Sequence, residues 1–283
     1  MPEQERIDVE GKTIVITGAS DGIGMHAAKS LAKQGANVLV TGRSPEKTAA
    51  VAKEVGSDPL VADFSRFDEV RRLASEINER VDHIDVLVNN AGGMFLHRNL
   101  TPEGHEPNFQ INHLSPFLLT NLLHDKLAAA PAPRVLVTSS MGNNTGRVKM
   151  DDLDYKKRHF PQDTFVYGTS KLQNILFARE LANRWETDNI TGTALHPGVV
   201  RTEFGRDSWT AGLVYRTPIN RLVMISPEKG SEPIVDLATR ADRDAINRIF
   251  FFRHRPNGPT SRQANDADLM KALWERSEEL VGL

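Results

Sequence analysis

A single-domain, doubly wound parallel α/β sheet with helices on both faces is the fold predicted by the 283-residue sequence, and three observations predict it. Short apolar, β-branched runs alternate with longer stretches of helical period. The alternation continues along the chain with no internal repeat, low-complexity tract or Gly/Ser/Pro linker to divide it. A glycine-rich turn separates the first apolar run from the first helical stretch. A strand, helix, strand rhythm of this length implies parallel pairing through right-handed crossovers.

Residues 13–17 (TIVIT) read as the first buried strand and 22–34 as the helix that follows it. Residues 37–41 (NVLVT) and 60–62 continue the sheet, with helices over 45–55 and 66–80. The run 84–88 (IDVLV) leads into a helix over 108–127, and 134–139 (RVLVTS) precedes a helix over 165–187. Residues 190–195 and 248–252 supply the last strands, with a helix over 227–240 between them. Two intervals break the rhythm: 141–163, and 199–226, which contains Trp209, Tyr215 and Pro218. Loops this long often carry function, so 199–226 is expected to be a substrate-binding loop, with Trp209 either a lid or a hydrophobic anchor. In 264–283, Leu269, Leu273, Trp274 and Leu280 recur at helical spacing and predict a docked terminal helix.

Composition excludes several chemistries. Lysine and arginine total 35 against 37 aspartate and glutamate, a net charge of −2, so no basic field exists to hold nucleic acid or an anionic membrane. There is no cysteine, which removes disulfides, thiolate nucleophiles and Cys-ligated metals. The nine histidines, among them His97, His105, His113, His124, His159 and His196, include no His-x-x-x-His pair, and no metal site is expected. No Gly-x-Ser-x-Gly elbow surrounds Ser140, and Arg248 to Arg255 (RIFFFRHR) reads as a buried strand and charged turn rather than a nucleic-acid platform. Residues 1–12 are polar with both charge signs, and no run approaches the ~18 apolar residues that cross a bilayer. A cytoplasmic protein without a membrane span is expected.

After the first strand comes Thr17-Gly18-Ala19-Ser20-Asp21-Gly22-Ile23-Gly24. Glycines there let the backbone turn tightly and approach a pyrophosphate, whose charge the free amides of the helix start favour. About twenty residues on, an NAD site places an acid for the ribose 2′-hydroxyl. This sequence has Thr41-Gly42-Arg43-Ser44 instead, and a guanidinium at Arg43 suits a 2′-phosphate. NADP(H) is therefore expected, with a solvated surface arginine as the plain alternative. In Tyr167-Gly168-Thr169-Ser170-Lys171 the i, i+4 spacing puts Tyr167 and Lys171 on one helix face, where an ammonium lowers a phenol pKa toward acid/base use.

These motifs, with Asn89-Asn90-Ala91-Gly92, Ser139-Ser140 and Pro197-Gly198 following in order, make the chain resemble short-chain dehydrogenases/reductases over nearly its whole length. Asn112 to Thr120 (NHLSPFLLT), Tyr167 to Leu181 and the Leu273-Trp274-Glu275 ending are similar to the retinol dehydrogenase and WW-domain oxidoreductase members. The apolar amino-terminal anchor of many retinol dehydrogenases and the WW domains have no counterpart in the sequence. The resemblance implies that Tyr167 is the general acid/base, that Lys171 lowers its pKa and binds the nicotinamide ribose, and that Ser140 rather than Ser139 holds the substrate oxygen. It implies that the Asn112 backbone helps hold a water linking Lys171 to solvent. Gly18, Ser20, Asp21, Gly22, Ile23 and Gly24 would form the phosphate turn, and Asp63 with Phe64 would meet the adenine, although Asp63 also reads as a helix cap. Asn89, Ala91 and Gly92 would line the adenine ribose. Pro197 and Gly198 would belong to the cofactor site, and beyond them Val199 and Thr202 would meet the carboxamide, Thr202 being alternatively a plain loop hydroxyl.

The activity so implied is hydride transfer between NADP(H) and an apolar carbonyl or alcohol, in a homodimer or homotetramer paired through 108–127 and 165–187. A catalytically idle NADP(H) sensor or scaffold and an epimerase or dehydratase using bound nicotinamide are the alternatives.

Overall fold

The computed structural model describes residues 5–95, 99–157, 164–200 and 224–283. Seven strands form one sheet in the order β3-β2-β1-β4-β5-β6-β7. They are β1 (Thr13–Ile16), β2 (Asn37–Gly42), β3 (Leu60–Val61), β4 (Val86–Asn89), β5 (Arg134–Thr138), β6 (Thr191–His196) and β7 (Phe250–Phe252). Every adjacent pair is parallel, with Ile14 opposite both Val38 and Val86. The order reverses between β1 and β4, and in such sheets ligands bind at the carboxyl ends of the strands flanking that point.

Strands this apolar bury both faces, so helices must cover each. On one side lie α1 (Gly22–Ala32), α2 (Pro45–Val55) and α7 (Pro227–Thr239), closing a core around Ile14, Ile16, Val40, Val88, Leu136 and Phe251. On the other lie α3 (Phe67–Arg80), α4 (Ser115–Leu122), the short α5 (His124–Ala128), α6 (Thr164–Arg184) and α8 (Ala267–Val281), which pack against the opposite face of the sheet. Local signals set the ends. Ser44 caps α2 ahead of Pro45, and Gly56 ends it in the left-handed conformation at φ 74°. The strand expected over 248–252 starts at Phe250, because Arg248 is left-handed at φ 62°.

The helix expected over 108–127 is not continuous. A turn at Pro107–Phe109 passes into a π-helical turn, Gln110–Leu114, before α4, and Leu123 separates α4 from α5. The cause is readable in the residues. Pro116 stands four places after Asn112 and has no N–H to return to the Asn112 carbonyl, so α-type bonding cannot run through that turn. The 141–163 interval begins with a 3-10 turn at Met141–Thr145; its residues 158–163 lie outside the described ones. Among the described residues no helix is long and apolar enough to cross a membrane.

Candidate active site

The glycine turn is held from the neighbouring strand. Thr17 Oγ1 donates to the Val88 carbonyl (3.2 Å) and accepts from the backbone N–H of Asn90 (3.0 Å) and Ala91 (2.9 Å). Asn90 Nδ2 donates back to the carbonyls of Thr17 (2.9 Å) and Gly18 (3.2 Å). Gly18 is left-handed at φ 64°, and a Cβ there would lie 2.8 Å from Ala91 Cα. A Cβ on Gly24 would lie 2.4 Å from the Gly18 carbonyl oxygen. These two glycines are thus required by backbone meeting backbone, which brings the free amides of the α1 start to the switch point.

Asp21 caps α1, accepting from Gly22 N–H at 2.7 Å, and its carboxylate also pairs with Lys47 Nζ at 2.7 Å. Ser20 stands at the end of β2: a Cβ on Gly42 would lie 2.7 Å from Ser20 Oγ. Arg43, one residue on, is exposed, and its guanidinium makes no ion pair or hydrogen bond among the described residues. Lys47 is a second cation on this edge that the spacing argument missed, because it sits in the first turn of α2 rather than at the strand end.

Asp63 does not cap α3, whose N-cap residue is Arg66. Its carboxylate instead accepts from Ser65 N–H at 2.9 Å, while its own N–H donates to Glu69 Oε2 at 2.9 Å. Phe64 is buried and its carbonyl accepts from Ser115 Oγ at 2.6 Å. Asn89 donates to Thr120 Oγ1 at 2.8 Å, and its buried Oδ1 has no partner among the described residues.

Asn112 lies in the π-helical turn, fully buried. Its Oδ1 accepts from Gly93 N–H (2.8 Å), and its Nδ2 donates to the Gly93 carbonyl (2.9 Å) and to Ser170 Oγ (3.0 Å). A Cβ on Gly92 would lie 2.5 Å from Asn112 Oδ1 and 3.5 Å from Lys171 Nζ. The Asn112 side chain is therefore occupied in tying the 92–93 turn to α6. Ser170, not singled out by the motif reading, completes the tie by donating to the Tyr167 carbonyl at 2.8 Å.

The two serines after β5 differ in use. Ser139 is buried, and its hydroxyl donates to the Lys171 carbonyl at 2.7 Å. Ser140 Oγ accepts from Gly142 N–H at 3.1 Å, and its hydroxyl hydrogen has no acceptor among the described residues. Tyr167 and Lys171 lie on the same face of α6, with Nζ 5.6 Å from the ring centroid. A Cβ on Gly142 would lie 3.5 Å from the Tyr167 ring and 3.6 Å from Ser140 Oγ, so both hydroxyl-bearing side chains border that glycine. Lys171 is 3 % exposed and donates to the Thr138 carbonyl at 3.1 Å. Burial pushes its pKa down to about 7.

Beyond β6, Gly198 is at φ 107°, where a Cβ would lie 2.8 Å from Ile225 Cδ1, and the Val199 carbonyl accepts from Ile225 N–H at 2.9 Å. Pro197, Gly198 and Val199 thus end β6 beside the entry to α7. Thr202 lies outside the described residues, as do Trp209, Tyr215, Pro218 and most of the 199–226 loop. Among the described residues no group of three or more His, Asp or Glu could hold a metal ion.

The comparisons agree with the fold. The family model for short chain dehydrogenase matches residues 12–153. Human retinol dehydrogenase 13 is 35% identical over 286 residues, covering 97% of this chain and 86% of that protein. A protein of Streptomyces sp. (strain C5) named "Putative daunorubicin C-13 ketoreductase DnrU" is 38% identical, covering 96% of this chain and 93% of its own. The crystal structure of an uncharacterized protein from Mycobacterium Paratuberculosis superposes with a TM-score of 0.78 at 31% identity, covering 98% of this chain and 96% of that one. The chain belongs to the short chain dehydrogenase family and is a retinol dehydrogenase-like oxidoreductase.

Proposed function

We propose that the protein interconverts an apolar alcohol and its carbonyl compound with NADP(H), Tyr167 serving as the general acid/base. The observation that carries this reading is the meeting, at the carboxyl end of β5, of the Tyr167 ring, the buried Lys171 ammonium and a Ser140 hydroxyl whose hydrogen has no acceptor among the described residues. The cofactor fits the residues around it. A cradle exists that side chains at Gly18 and Gly24 would fill, and among the described residues the buried Asn89 Oδ1 has no partner and the Arg43 guanidinium at the end of β2 has no counter-ion. When bound, the nicotinamide supplies hydride to the carbonyl carbon or takes it from the alcohol carbon.

In the reducing direction negative charge grows on the substrate oxygen, and the Ser140 and Tyr167 hydroxyls both donate to it. Tyr167 then gives up its proton, and the nearby Lys171 ammonium stabilises the phenolate that remains. The Asn112 carbonyl, deprived of its α-helical donor by Pro116, is available to hold a water on the route from Lys171 to solvent. Asp63 and Phe64 would hold the adenine, Asn89, Ala91 and Gly92 its ribose, and Val199 and Thr202, beyond Pro197 and Gly198, the carboxamide.

Exposed apolar side chains support an apolar substrate: Met141 (47 %) follows Ser140, Phe165 (50 %) lies two residues before Tyr167, and Val199 (44 %) follows Gly198. The two relatives are named as a retinol dehydrogenase and a putative daunorubicin C-13 ketoreductase, names that fit alcohol or ketone chemistry. The test is oxidation of NADPH with a panel containing all-trans-retinal, polycyclic aromatic ketones and quinones, in wild type and Tyr167→Phe. Turnover in wild type and none in Tyr167→Phe, with NADPH binding retained in both, is expected. Binding without turnover across the panel would favour the idle sensor, and activity in Tyr167→Phe would overturn the mechanism.

A further inference from the structure

Ser140 is aligned by a residue that its motif does not contain. Asn143 is fully buried at the centre of the 3-10 turn, and both ends of its carboxamide are engaged. Nδ2 donates to the Ser140 carbonyl at 2.8 Å, and the Asn143 backbone N–H donates to the same oxygen at 3.0 Å. Two donors on that oxygen fix the peptide plane that follows Ser140, while the Gly142 N–H on Oγ fixes its side chain. The position of the Ser140 oxygen is thereby set by the turn.

The far side of Asn143 faces a segment more than a hundred residues later in the chain. Its Oδ1 accepts from Ser261 N–H at 3.1 Å, and Nδ2 also reaches the Pro259 carbonyl at 3.4 Å. Gln263 reinforces the junction with a two-way pair on Val148, accepting its N–H and donating to its carbonyl at 3.0 Å each. The turn is also packed backbone to backbone on α6: a Cβ on Gly168 would lie 2.4 Å from the Gly142 carbonyl, and one on Gly146 would lie 2.5 Å from the Gly168 carbonyl. A turn so confined between α6 and the 259–263 segment cannot shift without moving Ser140 relative to Tyr167.

We propose that Asn143 is a positioning residue, through which the 259–263 segment sets the Ser140 hydroxyl against the reacting oxygen. The inference rests on the reading of Ser140 as a donor to that oxygen. It is tested by single-turnover hydride transfer from NADPH to 9,10-phenanthrenequinone, a flat apolar dicarbonyl, in wild type, Ser140→Ala, Asn143→Ala and the double variant. Thermal melting and NADPH affinity are followed alongside.

Misplacing a group by an ångström costs on the order of a hundredfold in rate, so Asn143→Ala should lower the transfer rate about tenfold to a hundredfold. NADPH affinity should stay within about twofold, since among the described residues the Asn143 side chain bonds Ser140, Pro259 and Ser261 and no residue of the glycine turn. In the Ser140→Ala background the same substitution should cost nothing further, because groups that act as a unit are not additive. Should Asn143→Ala fold poorly, Gln263→Ala loosens the same junction from its outer end, and a smaller loss with the same non-additivity is expected. An equal loss in both backgrounds, or a wild-type rate in the Asn143 and Gln263 variants, overturns the inference alone. A wild-type rate in Ser140→Ala overturns the donor reading and the inference with it.

Discussion

The proposed NADP(H) preference rests on single residues. Arg43 follows β2 with its guanidinium exposed and uncommitted, Ser20 stands beside Gly42, and Lys47 holds Asp21 at the start of α1. A charge-assisted hydrogen bond contributes about 1.5–3 kcal/mol, equivalent to roughly ten- to a hundredfold in affinity. Arg43→Ala should therefore weaken NADPH by about that factor and leave NADH nearly unchanged, as measured by titrating each nucleotide. An unchanged ratio of the two affinities would sink the NADP(H) assignment. The sequence made Arg43 visible because it occupies the place where an acid would otherwise stand. Lys47 was invisible to that argument, since its closeness to the cofactor edge depends on how α2 starts after Ser44. Ser139 and Ser140 could be ranked from resemblance alone, and the physical distinction emerges only in three dimensions: one hydroxyl is consumed by the Lys171 carbonyl and the other is not.

At the scale of elements, α8 is the piece with the largest structural consequence. Its Trp274 packs edge-on against Phe117 of α4 (4.8 Å between centroids) and beside Phe177 (5.8 Å) of α6, and meets Trp185 just beyond it (5.7 Å). Trp274 Nε1 donates to Glu278 at 2.7 Å, and Arg184 lies over the indole at 5.1 Å. Replacing a buried tryptophan by alanine costs about 3–5 kcal/mol. Trp274→Ala should therefore lower unfolding stability by that amount in denaturant titration, with NADPH affinity little changed because α8 lies on the side opposite α1 and α2. A loss below about 1 kcal/mol would mean that α8 is not a structural part of this layer.

The same packing bears on assembly. Phe117 of α4 and Phe177 of α6, the two helices through which a homodimer was expected to pair, pack here on Trp274 of α8. Sequence periodicity found all seven strands, α8 and most helices, because each carries its own apolar stripe. It could not divide the apolar residues of α6 between the sheet, α8 and a second subunit, since helical period reports burial and not the partner. It also ran the 108–127 helix through, counting apolar residues where Pro116 had already removed the donor that Asn112 needs.

At the scale of the whole molecule, acid reaches two buried histidines on either side of the site. His113 lies beside the π-helical turn, stacked on Phe109 at 5.7 Å, with Nε2 3.0 Å from Ser277 Oγ in α8. Ser277 donates its own hydrogen to the Leu273 carbonyl at 2.7 Å, so Nε2 must be the donor and the buried Nδ1 keeps a lone pair with no partner. A proton on Nδ1 would be a buried charge without an acceptor, and burial pushes the His113 pKa down to about 3. His196, at the end of β6, has neither ring nitrogen bonded among the described residues; burial and the Arg253 charge push its pKa down to about 4. In the unfolded chain both titrate near the ordinary 6.5. Below that value the unfolded state binds protons that the folded state refuses, so stability falls as pH falls from 6.5 toward 4 for His196 and toward 3 for His113. Above 6.5 both residues are neutral in both states and contribute no slope. Within the window each adds up to about 1.4 kcal/mol per pH unit. His113→Gln, neutral at every pH and still able to donate toward Ser277, should flatten the acid limb by one such slope in denaturant titrations repeated across the window. A limb as steep as that of the wild type would mean that His113 does not stay neutral in the folded protein.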